Sequence, residues 1–319
     1  MEKTINYKCI CKKSLPSLFT SQIMLLPCEH VLHKTCHNKK DTCDICNVNI
    51  TDILTICDAA KTKNTLIGYQ RYVDMIALSP YDMPSNNDID KNYFFSGMTN
   101  LMSIVMSIPF YKGIDGGTQV VDDTMKMLNA KIIINGIENI PENKKAVIIS
   151  NHKSFLDFMV LFKIFKAGFL ASSFIEKSFF GRMFLNYIPL LIIERGKSEG
   201  TVEKMKDYVN EHGSICIFPE GVITHPKVIG RFRTGCFYTG HPVVPVVIKY
   251  NPAIYYDHVN DTVKKIISLP EITINVNVLK MQYPPFDKNK IENVRRKMAK
   301  AGNLCTSRIS NRDIDDKQN

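Results

Sequence analysis

Long apolar runs are scarce, and the nearest approach to the run of about 20 predominantly apolar residues in a spanning helix is thin. It opens Met1-Glu2-Lys3 into a polar, cysteine-bearing stretch, so a secretory leader is not expected. No glycine-rich phosphate loop is present, and no serine, histidine and aspartate are spaced as a nucleophilic set. Acidic side chains are in deficit: 31 Asp and Glu stand against 41 Lys and Arg, a formal net charge of +10. That balance suits an anionic partner. No basic tail and no aromatic–basic sheet motif occurs, so nucleic acid is not the partner expected. Membrane surfaces and phosphorylated substrates are the classes that remain.

The cysteines are unevenly placed. Of ten, six fall between Cys9 and Cys46; the others are Cys57, Cys216, Cys236 and Cys305. Clustering beside histidines, without a leader, argues for metal rather than disulfides. The order is Cys9-x-Cys11, Cys28-x-His30, His33-x2-Cys36 and Cys43-x2-Cys46, enough soft or borderline ligands for two tetrahedral zinc ions. It resembles a RING finger of the two-histidine type over residues 7–50. The resemblance implies interleaved ligands, with Cys9, Cys11, His33 and Cys36 on one ion and Cys28, His30, Cys43 and Cys46 on the other. It also implies a ubiquitin-conjugating enzyme as partner, met by apolar residues such as Ile10. Two positions depart from the pattern. Ile10 stands alone between the first cysteines, where two residues are usual, and Asp44 replaces a usual proline. A segment this short has little core, so the metal would supply much of its folding energy.

Residues 51–91 are expected to link this module to a second domain, with one or two helices over 53–78 and a hinge at Ser79–Asp88, rich in turn residues. Tyr93 to Tyr111 then runs nineteen residues without a charge, with Pro109 ending its helical part. Phe94, Met98, Leu101, Met102, Val105 and Ile108 fall on one helical stripe; Ser96, Asn100, Ser103 and Ser107 face elsewhere. Three placements stay open: a helix packed on its own domain, an anchor lying in the membrane surface, or a span.

Beyond this, strand and helix signals alternate. Strands are expected near 131–135, 146–150, 169–174, 189–194, 214–218, 243–249 and 272–279, with helices over 155–166, 178–186, 200–211 and 288–305. Alternation predicts an α/β fold with a mixed sheet, flanking helices, and active residues at the carboxyl ends of strands. The domain is placed at 92–305, and a disordered tail at 306–319.

Two blocks carry the chemistry. Ser150-Asn151-His152-Lys153-Ser154-Phe155-Leu156-Asp157 sets a histidine five positions before an aspartate. A carboxylate paired with that ring fixes its tautomer and stabilises the imidazolium formed when it takes a proton. Ser154 is poorly placed as a nucleophile, so the attacking hydroxyl belongs to a substrate. The second block is Ile217-Phe218-Pro219-Glu220-Gly221. Together they resemble motifs one and three of the glycerolipid acyltransferases. The lead-in Asn135–Pro141 resembles the turn before the family's catalytic strand, Ile192-Ile193-Glu194-Arg195 its motif two, and Pro242-Val243-Val244-Pro245-Val246 its motif four. Phe232-Arg233-Thr234-Gly235 and Pro245–Pro252 are closest to the lysophosphatidylcholine and microsomal glycerol-3-phosphate branches.

The resemblance implies a glycerolipid acyltransferase-like fold and transfer of an acyl chain from acyl-CoA to glycerol-3-phosphate or a lysophospholipid. His152 would be the base and Asp157 its orienter. Arg195, with Phe218, Pro219, Glu220 and Gly221, would hold the acceptor phosphate, Lys177 and Arg233 being secondary candidates. A guanidinium suits phosphate through paired hydrogen bonds. Glu194 stands where aspartate is more usual, and Val222-Ile223-Thr224 replaces the usual residues after the glycine. The expected setting is intracellular and membrane-associated, at endoplasmic reticulum or lipid droplet. The competing reading is a catalytically silent, membrane-bound ubiquitin-ligase adaptor.

Overall fold

The computed structural model describes residues 22–26, 28, 30–33, 36–37, 41–55, 73–74, 91–107, 113–141, 145–173, 187–194, 200–254 and 259–311. Cys9, Cys11, Lys177, Arg195, the hinge at Ser79–Asp88 and the helix expected over 178–186 lie outside them.

The described residues of the amino-terminal region form a three-stranded antiparallel sheet. Its central strand is β1 (Gln22–Leu26), between β2 (His30–His33) and β3 (Asp52–Thr55). β3 pairs Ile53 with Leu25 and Leu54 with Met24, so this unit runs past residue 50, and residues 52–55 are strand rather than helix.

Two helices follow, α1 (Lys91–Ser107) and α2 (Gly113–Met127). The stripe expected on α1 divides. Gly97 and Ile104 are buried and Phe94 packs inward, while Phe95, Met98, Met102 and Met106 are exposed. Gly97 decides which face packs: a Cβ there would collide with the Ile267 carbonyl, so the helix lies closest to its neighbour at that point. α2 was not legible in the sequence, because its glycines and aspartates are weak helix formers. Packing overrides that weakness, with Val120, Val121, Thr124 and Met125 buried.

Among the described residues the main sheet has seven strands: β4 (Ala130–Asn135), β5 (Val147–Ser150), β6 (Gly168–Ser172), β7 (Leu190–Ile193), β8 (Ile215–Ile217), β10 (Val243–Asn251) and β11 (Ile272–Val278), in the order β4-β11-β10-β5-β8-β6-β7. β10 meets β11 antiparallel, and every other pairing is parallel. The strands β10, β5, β8, β6 and β7 therefore end along one edge.

Alternate residues serve opposite faces. Ile148, Val246, Ile248, Ile274 and Val276 pack with α2 and with α3 (Leu156–Phe165). Val147, Ile149, Val243 and Val247 pack on the other side with α4 (Thr201–His212) and α6 (Lys288–Gly302). A helix missed in the sequence, α5 (Val259–Ile267), adds Ile266 and Ile267 to the first face. Helices thus cover both faces of a mixed sheet, which is the α/β fold expected. At Gly136 (φ 78°) a Cβ would strike the Val278 carbonyl, which explains a glycine at the turn out of β4.

Residues 306–311 correct part of the expected tail, and 312–319 lie outside the described residues. α6 ends at Gly302, and β12 (Cys305–Thr306) pairs parallel with β9 (Val228–Ile229). Ser307 and Asn311 are buried. Asp74 receives this segment: its Oδ1 accepts from Ser307 Oγ and Arg308 N, both at 2.8 Å, and its Oδ2 from Arg308 Nε at 2.8 Å. Further along, Arg231 N donates to Ile309 O at 2.8 Å and Arg233 Nε to Asn311 Oδ1 at 2.9 Å. The segment therefore braces the loop that follows β8.

Candidate active site

β5 delivers Asn151 and His152 to the shared edge. Asn151 is fully buried and continues the strand pairing with its side chain: Nδ2 donates to Ile248 O at 2.9 Å, and Oδ1 accepts from Ile248 N at 2.8 Å. This fixes where the chain leaves the sheet. The turn then folds back so that α3 starts with Asp157 in its first turn.

His152 Nδ1 lies 2.8 Å from Asp157 Oδ2. That oxygen also accepts from Lys153 N at 2.6 Å and Ser154 N at 2.9 Å, and Oδ1 accepts from Tyr250 Oη at 2.6 Å. A carboxylate offers only acceptors, so Nδ1 carries the proton and Nε2 keeps its lone pair. The Asp157 side chain is 0% exposed and that of His152 20%, so the histidine is the member a substrate can reach. Ser154 is fully buried and its Oγ accepts from Leu156 N, which excludes it as an attacking group. Burial, and then the neighbouring Asp157, pushes the Tyr250 phenol well above its ordinary range, so it stays a donor.

The block after β8 packs against the base. Phe218 stacks on the His152 ring, with centroids 4.1 Å apart and planes at 13°. Pro219 is buried, and its carbonyl accepts from Arg233 N at 2.8 Å. Gly221 has φ 72°, and a Cβ there would press on Arg233 Nε. Arg233, itself exposed, thus lies beside this turn. Glu220 is buried, with partners on both oxygens. Close to it, burial draws the Lys153 ammonium below its usual value, opposed by the charges of Glu220 and Asp157. Burial, and then Lys153 and Lys227, brings the His225 imidazole down to about 3.

β7 ends at Ile193 and Glu194 is exposed, while Arg195 lies outside the described residues. The structure therefore assembles His152, Asp157, Phe218, Pro219, Glu220 and Gly221, and adds Tyr250, Lys153, Asn151 and Thr224. Tyr250 left one trace in the sequence, as a polar-tipped residue at the end of the apolar run Val243 to Ile248. Lys153 left none beyond its place next to the histidine.

In the amino-terminal unit, Cys28, His30, Cys43 and Cys46 converge, with one ligand atom of each within 4.8 Å of the others. This is the second of the two expected quartets. Cys43 Sγ lies 3.6 Å from His30 Nδ1 and accepts from Ile45 N at 3.4 Å. Asn47 closes the turn with φ 57°, and its N–H donates to Cys43 O at 2.8 Å. Burial pushes the Cys28 thiol up to about 11, opposed by a backbone hydrogen bond from His30 and reinforced by Cys43 and Cys46. A donor set of three sulfurs and one imidazole in a tight turn fits zinc, which would take the sulfurs as thiolates. Of the first quartet only Cys36 falls among the residues whose side chains are described, and it is half-buried.

Residues 131–249 match the Acyltransferase family model. A lysophospholipid acyltransferase of Arabidopsis thaliana is 26% identical over 189 residues, covering 53% of this chain and 47% of its own length. A probable 1-acyl-sn-glycerol-3-phosphate acyltransferase of Mycoplasma pneumoniae is 30% identical over 132 residues, covering 37% and 49%. Human lysophosphatidylcholine acyltransferase 1 is 25% identical over 126 residues, covering 38% and 23%. The chain spans about half the length of the first two relatives. The family match contains His152, Asp157 and the turn at Pro219–Gly221.

Proposed function

We propose that this protein transfers an acyl group from acyl-CoA to the free hydroxyl of glycerol-3-phosphate or a lysophospholipid. The observation that carries the reading is the imidazole of His152, half open at a strand edge, with Nδ1 held by a fully buried carboxylate and Nε2 left to accept a proton. Nε2 takes the acceptor's hydroxyl proton as its oxygen attacks the thioester carbonyl. Asp157 stabilises the imidazolium. The tetrahedral adduct collapses to the ester, and the leaving coenzyme A thiolate takes the proton from Nε2. Phe218 excludes water from one face of the ring. Arg195 and Arg233 hold the acceptor phosphate.

The exposed face of α1, with Phe95, Met98, Met102 and Met106, meets the membrane surface that supplies lipid substrates. No helix among the described residues is long and apolar enough to cross a membrane. In the same proposal the amino-terminal unit is a RING-like module holding two zinc ions. Cys28, His30, Cys43 and Cys46 hold one, and Cys9, Cys11, His33 and Cys36 the other. Its exposed Ile45, Val48 and Ile53 offer an apolar surface to a ubiquitin-conjugating enzyme.

The test incubates purified protein and labelled acyl-CoA with a panel of acceptors, and reads the lipid product and the released thiol together. Arg195→Ala is expected to raise the acceptor KM by about tenfold, as loss of a charge-assisted contact does, with the acyl-CoA KM unchanged. A panel in which no acceptor is acylated overturns the reading.

A further inference from the structure

The family resemblance gives Glu220 to the acceptor, but its surroundings leave the acceptor no oxygen to meet. Glu220 is 1% exposed. Its Oε1 accepts from His152 N at 2.9 Å and Lys153 Nζ at 3.3 Å, and its Oε2 from Thr224 Oγ1 at 2.8 Å and Gly230 N at 2.6 Å. Lys153, 2% exposed, spends its other protons on Val228 O at 2.6 Å and on Thr224 Oγ1. The same loop takes the other end of the His152 peptide, since Thr224 N donates to His152 O at 2.9 Å. The main chain of the base is thus gripped on both sides by the segment from Glu220 to Gly230. The grip is closed by a lysine from its own turn.

We infer that Glu220 and Lys153 are a pair of positioning residues, a buried ion pair that fixes the backbone of His152 so that its imidazole faces the acceptor hydroxyl. Their effect on rate rests on the acyl-transfer reading; the pairing does not. A buried pair has a distinctive signature: removing one partner strands a charge, whereas neutralising both does not. A ligand for the acceptor has a different one, because its loss raises the acceptor KM.

The experiment uses the full-length protein with Glu220→Gln, Lys153→Met and the double variant. It reads kcat, both KM values, the thermal midpoint, and the far-downfield proton of His152 Nδ1 by NMR. Each single variant is expected to lower kcat by about tenfold or more, since small misplacements of a reacting group are costly. The acceptor KM should hold within about twofold, the range expected when no acceptor contact is lost. The double variant is expected to regain midpoint, the downfield proton and part of kcat relative to the worse single, which is coupling within the pair.

Should a single variant not fold, Thr224→Val keeps both charges and removes the hydroxyl between them. It is expected to lower kcat without moving the acceptor KM. An acceptor KM raised about tenfold at unchanged kcat in Glu220→Gln would make Glu220 a substrate ligand. A double variant no better than the worse single would dissolve the pair. If the wild-type protein acylates nothing, the enzyme reading fails, while the midpoint and the proton resonance still decide the pairing.

Discussion

Around His152 the groups that hold the turn in place are partnered by the fold, and Nε2 of the ring is left to a substrate. Asp157 collects four donors, Glu220 four more, and Asn151 is stitched into a strand. Around Cys28, His30, Cys43 and Cys46 the ligand atoms face mainly one another. Among the described residues of that unit, the fully buried apolar side chains are Leu25, Leu32 and Cys43. The first site is organised by a large core before any substrate arrives. The second organises a small unit only when something draws four ligands together. One is a product of its fold and the other is a cause of it.

The sharpest way to break this contrast is at the base. His152→Ala is expected to lower acyl transfer by roughly 10²–10⁴-fold, the usual worth of a general base, while the thermal midpoint stays near that of the wild type. A variant that keeps most of its rate would remove His152 from the mechanism. Metal removal probes the other side. A chelator is expected to strip zinc and erase hydrogen-exchange protection over residues 22–55, with acyl transfer persisting. Transfer that declines in step with the metal would join the two regions into one functional unit. Chelation separates them more cleanly than truncation near residue 80, which also removes Asp74 and its contacts to Ser307 and Arg308.

A smaller effect sharpens the first half of the comparison. His225 is 1% exposed and titrates at about 3 in the folded protein, against an ordinary value of 6.5. Between those values the unfolded chain binds the proton and the folded one does not, so stability falls as pH drops from 6.5 toward 3. Thermal melts across this range should show that slope, and His225→Gln should flatten it. An unchanged slope would place the acid sensitivity on other groups.

The positions of the main-sheet strands along the chain, and the His152–Asp157 pair, were legible because they depend on short-range pattern: apolar runs of strand length, and a five-residue offset that one turn can close. The partners of that pair were not. Tyr250 reaches Asp157 because β10 lies beside β5, a pairing that local sequence does not specify. Glu220 read as a substrate group because its block is recognised by composition, while its burial depends on Gly230 and Thr224 folding back over it. The short helix α5 and the two-residue strands β9 and β12 lie below the length at which periodicity can be read. The face that α1 buries was set by Gly97 rather than by its apolar residues.

The Asp74 clasp also bears on how the molecule is made. Asp74 and Arg308 are separated by 234 positions, and the last strand of the main sheet ends at Val278. During synthesis every strand of the sheet, with His152 and the loop after β8, leaves the ribosome before the segment that braces that loop. All seven strands are therefore made before Arg233 can gain Asn311 as a partner. The turn beside Gly221 is completed only by residues made after the whole sheet.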